Sequence, residues 1–404
     1  MMRFGQVGGW LCLTLLVSGC MPTAAQRRSV ATWDMNWNSS TRLPVDPEPI
    51  SPVYKTEPVS VRVGEVAVWV HPTVKAKSLV FGLHETRGGG INVYDLKGAL
   101  IQHVTGMRLP YGLDTRGGFN IGTREIDILV TVERDTSKLR LFGINPAKQK
   151  IWEIGGDLDL FKREKGVNAS AMGVALHRSA DGKMYVFVSR KRNDDDAGIL
   201  YQYELTAKEG RASLKYLRNM GAFSRGDNVR TLVADDTLAF IYYVDRGFGI
   251  RKYGTDPKSN GKELALFAKD AWENYPSGLA ILPSEDVKRG YLLAMGRRKT
   301  TTPIRIFKRE GEIGRPHDHG SEIGFYTLVS PISVAIEVVS VPILPDYPEG
   351  ILVIANAEDK TFDFFSWRDV RTQEITTEQR AKIQESLDSA NSAEGAEIDS
   401  FGSN

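Results

Sequence analysis

Cysteine is nearly missing from this chain: among 404 residues there are two, Cys12 and Cys20, both within the first twenty positions. Nothing downstream can form an internal disulfide, so the rest of the chain must be held together by its core. No apolar run reaches the roughly 20 residues that a membrane-spanning helix needs. Nor is one sign of charge in surplus. Lys and Arg number 52 against 50 Asp and Glu, a formal net charge of +2, which gives no bulk attraction to nucleic acid or acidic lipid. Nucleic-acid binding is set aside on that ground. Serine nucleophile elbows, phosphate-binding glycine loops and cysteine-pair zinc motifs are absent as well.

What is present begins at the N-terminus. Arg3 precedes a short apolar run that ends LTLLVSGC at 13–20. A basic start, a short apolar core and small residues at the cut site describe a secretory signal. Ser18 and Gly19 before Cys20 resemble the lipobox of bacterial lipoproteins. That resemblance implies a signal peptide over 1–19, lipidation of Cys20 by fatty acyl groups such as palmitate, and, with Met21 rather than Asp next, anchoring at the outer membrane of a bacterial envelope. Residues 20–58 carry Pro44, Pro47, Pro49, Pro52 and Pro58 and read as a flexible tether. At the other end, residues 371–404 read as a short amphipathic helix, with Ile383 and Leu387 four apart, followed by a disordered tail.

Between them, residues 59–370 form one folded region of short β-rich runs separated by Gly, Asp, Asn and Lys. Examples are VAVWVHP at 66–72, IDILVTV at 126–132 and MYVFVS at 184–189. Many short strands without helical periodicity mean a sandwich, barrel or propeller. A diffuse recurrence selects among these: INVYDLKG, LRLFGINP, YQYELTAK, IRKYGTDP, IRIFKREG and FDFFSWRD recur six times. Their spacing of about 45–60 residues fits four-stranded blades, which predicts an all-β, six-bladed β-propeller of antiparallel blades closing as one domain.

Several segments then look like the β-propeller phytases, six-bladed enzymes that release phosphate from phytate with clustered calcium ions. They are VAVWVHPTVKAKSLVFG at 66–82, GGINVYDLKGALIQ at 89–102, EIDILVTVERDTSKLRLFGINP at 125–146 and SVPILPDYPEGILVIAN at 340–356. Many of the family's acidic positions are changed here. Its Asp-Asp-Pro-Ala falls on Gly64, Glu65, Val66 and Ala67, and its Asn-Asn-Val-Asp leaves only Asp114. Its Glu-Gly falls near Arg230 and Thr231, its Glu-Glu-Asp on Asp245, Arg246 and Gly247, and its Asp-Gly-Ile-Asp-Val keeps only Glu337. Calcium demands six to eight oxygen ligands, and an arginine about 5 Å away repels it by roughly 7 kcal/mol at an effective dielectric near 20. No calcium or other cofactor is therefore expected, with Glu65, Asp114, Asp245 and Glu337 as weak remnants of metal positions.

The basic positions are better kept. The resemblance places Arg87, Arg134 and Lys191 at phosphate-contacting positions, with Arg190 and Arg230 close by. Each alone reads as a solvated loop charge; together at one rim they read as an anion-binding mouth, because the planar guanidinium grips phosphate or carboxylate with two bonds. The expectation is a lipid-anchored, phytase-like protein that binds an anionic ligand, such as a phosphorylated inositol, or a membrane partner, with catalysis weak or lost. Its rivals are an active phytate phosphohydrolase with a reduced calcium set, and a docking module for an outer-membrane transporter or receptor. No catalytic residue is assigned. HDH at 317–319, NDDDAG at 193–198 and His71 read as structural loops rather than metal sites.

Overall fold

Alternating apolar residues and tight turns build strand after strand in the computed structural model, which describes residues 48–162, 169–191, 198–224, 228–246, 248–269, 272, 276–320 and 322–372. A two-residue strand, β1 (Tyr54–Lys55), comes first. Blade one follows with β2 (Val63–Trp69), β3 (Leu79–His84), β4 (Gly90–Tyr94) and β5 (Leu100–Val104). Blade two holds β6 (Pro110–Ile121), β7 (Arg124–Glu133), β8 (Lys138–Asn145) and β9 (Lys150–Glu153). Next, β10 (Gly156–Asp157) pairs parallel with the outer edge of blade three, whose strands are β11 (Ala171–Arg178), β12 (Met184–Arg190), β13 (Leu200–Lys208) and β14 (Arg211–Met220).

Blade four is β15 (Leu232–Asp235), β16 (Phe240–Asp245), β17 (Gly249–Gly254) and β18 (Glu263–Phe267). Blade five is β19 (Gly278–Pro283), β20 (Gly290–Met295), β21 (Thr302–Lys308) and β22 (Glu322–Leu328). Blade six has β23 (Ser333–Val339), β24 (Ile351–Asn356) and β25 (Thr361–Ser366), and a short helix, α1 (Trp367–Arg371), ends the described chain. The outermost strand of this last sheet is β1, with Tyr54 opposite Phe364 and Lys55 opposite Asp363. The sheet therefore begins at Tyr54, inside the stretch read from sequence as tether. Backbone bonds from Val53, Thr56 and Val59 to Phe364, Phe362 and Lys360 seat the segment, and its prolines lie outside the two paired residues.

The innermost strands β2, β6, β11, β15, β19 and β23 each touch the next, and β23 touches β2, so the blades close into a ring. This is the expected six-bladed propeller. Each of the six recurring octets supplies the third strand of one blade, β4, β8, β13, β17, β21 and β25. Alternation puts one row of side chains on each face of a blade, and both faces are apolar because a blade is packed on either side. The core is accordingly divided into six buried clusters, one between each pair of neighbouring blades. Polar staples cross some of these seams. Asp235, at the end of β15, takes two 2.5 Å bonds from the buried guanidinium of Arg309, just after β21.

The connections decide where a site can form. In every blade the first strand starts, the second ends and the third starts at the same end of the sheet. The pairs Val63–His84, Pro110–Glu133, Ala171–Arg190, Leu232–Tyr243, Gly278–Met295 and Ser333–Asn356 mark that end. Arg62, Arg87, Arg108, Arg134, Lys191, Arg230, Arg246, Arg297 and Arg298 all follow or precede such strand ends, so the topology gathers them at one face.

Candidate functional site

Four arginines converge at that face on one carboxylate. Arg62 enters β2, Arg134 leaves β7, Arg230 approaches β15 and Arg246 leaves β16, and all four act electrostatically on Glu85, at the exit of β3. Arg62 Nη2 lies 3.2 Å and Arg230 Nη1 3.7 Å from Glu85 Oε2. Burial outweighs these arginines and pushes the Glu85 carboxyl above the ordinary glutamate range. Tyr111, near the start of β6, is buried in the seam between blades two and three. The guanidinium of Arg230 lies 4.9 Å and that of Arg134 5.6 Å from its ring centroid, close enough for cation–π attraction. The backbone N–H of Arg134 donates to Leu109, which fixes the base of its side chain. Among the described residues Arg134 makes no ion pair within 4 Å.

The other expected anion contacts are placed differently. Arg87 is largely exposed and donates through Nε to Asp135 at 2.7 Å. Lys191 is half-buried on blade three, its backbone N–H bonded to Ser170. Arg190 continues the row of Met184, Val186 and Val188 that packs into the seam between blades two and three: it is fully buried and its guanidinium lies 5.6 Å from the Tyr201 ring centroid. Sequence reasoning passed over Arg62, Glu85 and Tyr111. One signal for Glu85 was available, a glycine inside the strand pattern VGEVAVW, since such a glycine often marks a close approach.

Below the mouth, the channel wall carries Glu65, Asp114, Arg116 and Glu337 from innermost strands, with Asp236 just past β15. Asp114 Oδ2 accepts from the Leu176 N–H at 2.7 Å and from Arg116 at 3.3 Å, and Arg116 also reaches Asp236 at 3.4 Å. These side chains are half-buried, Arg116 at 24% and Asp236 at 32% exposure, on a wall whose surroundings are mostly protein. That desolvation pushes Glu65 and Glu337 up to about 8, with Glu85 adding repulsion to Glu65 and Asp114 adding it to Glu337. Asp245, the fourth remnant, is elsewhere and engaged: it accepts from Arg251 at 2.7 Å and from the Ser224 hydroxyl at 2.6 Å.

This donor set does not fit a calcium cluster. Two of the four carboxylates, Asp114 and Asp245, are bonded to arginine, and the other two, Glu65 and Glu337, line a channel that also holds Arg116. Among the described residues no three His, Cys, Asp or Glu side chains are grouped to hold a metal ion.

The other motifs are structural where they can be seen. His319 stacks on Phe267 at 4.7 Å, hydrogen-bonds the Lys308 carbonyl through Nδ1, and receives Lys252 Nζ at 3.0 Å on Nε2. Burial and the neighbouring ammonium lower its pKa to about 4. His317 packs edge-on to Phe240. His71 Nδ1 accepts from the N–H groups of Thr73 and Val74 and shapes their turn. Residues 193–197 of the acidic run lie outside the described residues, as do Cys20, the tether up to residue 47 and the tail from 373.

Among solved structures, the GH93 α-L-arabinofuranosidase of Fusarium graminearum with arabinobiose is similar at a TM-score of 0.55 and 12% identity, over 80% of this chain and 99% of that one. The same enzyme with an iminosugar inhibitor gives a TM-score of 0.54 and 11% identity, over 81% of this chain and 100% of that one. At such identities the likeness is one of fold. No curated protein matches the chain in sequence. The phytase family model, however, matches residues 45–388, a span that takes in all six blades and the closing strand, and the chain belongs to the phytase family of β-propellers.

Proposed function

We propose that this propeller binds a phosphorylated, multiply charged anion at its basic face, with phytate hydrolysis weak or lost. The observation that carries the reading is the gathering of Arg62, Arg134, Arg230 and Arg246 about buried Glu85, with Arg134 and Arg230 beside the Tyr111 ring. Two of them, Arg230 and Arg246, stand at positions where the resembling enzymes carry acids, so the site has moved from gripping cations toward gripping anions directly. The engagement of Asp114 by Arg116 and of Asp245 by Arg251 supports the loss of calcium-assisted hydrolysis. Lipidation at Cys20 would hold the protein at an outer-membrane surface, where phosphorylated solutes or a membrane partner could be met.

Calorimetric titration of the full-length protein with inositol hexakisphosphate, beside a phosphate-release assay with and without calcium, tests the reading. Binding without turnover is the expected result. Calcium-dependent phosphate release would restore the active-hydrolase reading. Absence of binding at low salt would replace the ligand site with a docking face for an envelope protein.

A further inference from the structure

The basic mouth already contains an anion of its own. The Glu85 side chain is only 6% exposed, yet its hold on the surrounding cations is poor. Among the described residues its Oε2 is buried without a hydrogen-bond partner, and so is Nε of Arg230. Buried charged groups ordinarily satisfy each other with aligned, charge-assisted hydrogen bonds. Here the ion pairs at 3.2 and 3.7 Å lack that alignment. Among the described residues the carboxyl rests on van der Waals contact, with no aligned hydrogen bond to hold Oε2 against a competing anion. It lies against Gly64 so closely that a Cβ there would sit 2.3 Å from Glu85 Cγ and 2.7 Å from Cδ. The Glu85 N–H meanwhile donates to the Arg62 carbonyl at 3.0 Å.

We propose that Glu85 is a resident counter-ion of the arginine cluster, displaced when a ligand binds, and that it sets a minimum charge on what the mouth accepts. The inference rests on the anion-binding reading above and adds the ligand's charge class to it. A monocarboxylate entering the cluster exchanges one negative charge for another and gains nothing electrostatically. A dianionic phosphoryl group brings a second charge and enough acceptor oxygens to take paired bonds from guanidinium groups, including the unmet Arg230 Nε. Phosphorylated ligands are thus taken and simple carboxylates refused by the same side chain.

Full-length protein and its Glu85→Gln variant are titrated calorimetrically at low salt with pyrophosphate and, separately, with acetate. Wild type is expected to bind pyrophosphate and not acetate. The near-isosteric Glu85→Gln should bind pyrophosphate about tenfold tighter, the equivalent of about 1.4 kcal/mol, and should acquire measurable affinity for acetate. A Glu85→Ser variant checks that the gain follows loss of charge rather than a change of packing, with thermal melting confirming the fold of both. Equal pyrophosphate affinity in wild type and Glu85→Gln overturns the counter-ion role while leaving the anion site standing. Acetate binding by wild type as strong as pyrophosphate binding overturns the charge threshold. Failure of every protein to bind either anion removes both proposals.

Discussion

At the scale of single residues, the mouth and the channel make opposite demands on charge. Arg134 rests on an aromatic face and lacks an ion pair among the described residues, so its guanidinium is available to a ligand. Replacing it by alanine should weaken binding of inositol hexakisphosphate by about ten- to a hundredfold, as a charge-assisted contact of about 1.5–3 kcal/mol implies. The melting temperature should barely move; a fall in stability with unchanged affinity would assign Arg134 to the fold. In the channel, Glu65 and Glu337 rise from 4.5 to about 8 through burial first, with repulsion from Glu85 and Asp114 respectively exceeding the pull of any one arginine. The folded protein keeps these protons over a range in which the unfolded chain has released them. Their contribution to stability is full below 4.5 and is lost as the pH climbs through about 8, so melting temperatures should decline from about pH 5 to about pH 9. The Glu65→Gln, Glu337→Gln double variant should flatten that decline, and an unaltered slope would disprove the assignment. The arginines of the mouth are visible in a sequence; the carboxylate they surround is not marked at its own position, because Glu85 follows a strand like any loop acid and only Gly64, against which it packs, hints at a close approach.

Elements were legible where a pattern repeats. The six octets each became a third strand because that strand is packed on both faces, and apolar and aromatic residues there are required in every blade. The edge strands were harder. β1 is two residues long and surrounded by prolines, and only the pairing offered by β25, some 300 positions away, makes it a strand. Contacts between elements were equally hidden. Asp235 and Arg309 are separated by 74 positions and meet as a buried bidentate pair across the seam of blades four and five. Asp235→Ala leaves that guanidinium buried without its partner, and the expected loss is about 3–5 kcal/mol, read from denaturant unfolding. A loss below about 1 kcal/mol would mean that Arg309 reaches solvent when released. The HDH segment fails as a metal motif for a similar reason: its second histidine is consumed by a contact with Lys252, on another blade.

At the scale of the whole molecule, the ring sets one richly basic rim above a channel of mixed charge, a distribution that the near-zero net charge of the sequence conceals. Stability comes from six apolar seams built of side chains from neighbouring blades. Chelating calcium should therefore shift the melting temperature by only about a degree or two, whereas a ligand that bound the folded state tightly would add stability by mass action. A large calcium-dependent rise in a thermal scan would contradict the donor analysis of the channel. Replacing Cys20 by alanine should release the protein from the membrane fraction or leave an uncleaved precursor; unchanged partitioning into membranes would refute lipidation there.

The closing pair of β1 and β25 also governs timing. Blade six needs the first-made strand and the last-made strand together, so five blades can assemble during synthesis while the sixth waits for the final segment to emerge. Bringing its ends together costs about 5 kcal/mol of chain entropy for a loop of roughly 300 residues. A two-residue strand does little to offset that, so closure draws on the apolar seams that blade six forms with blades five and one. The ring is thus assembled in an order but locked in a single late event, and a product truncated before residue 333, lacking β23 to β25, would remain an open arc with two unburied walls.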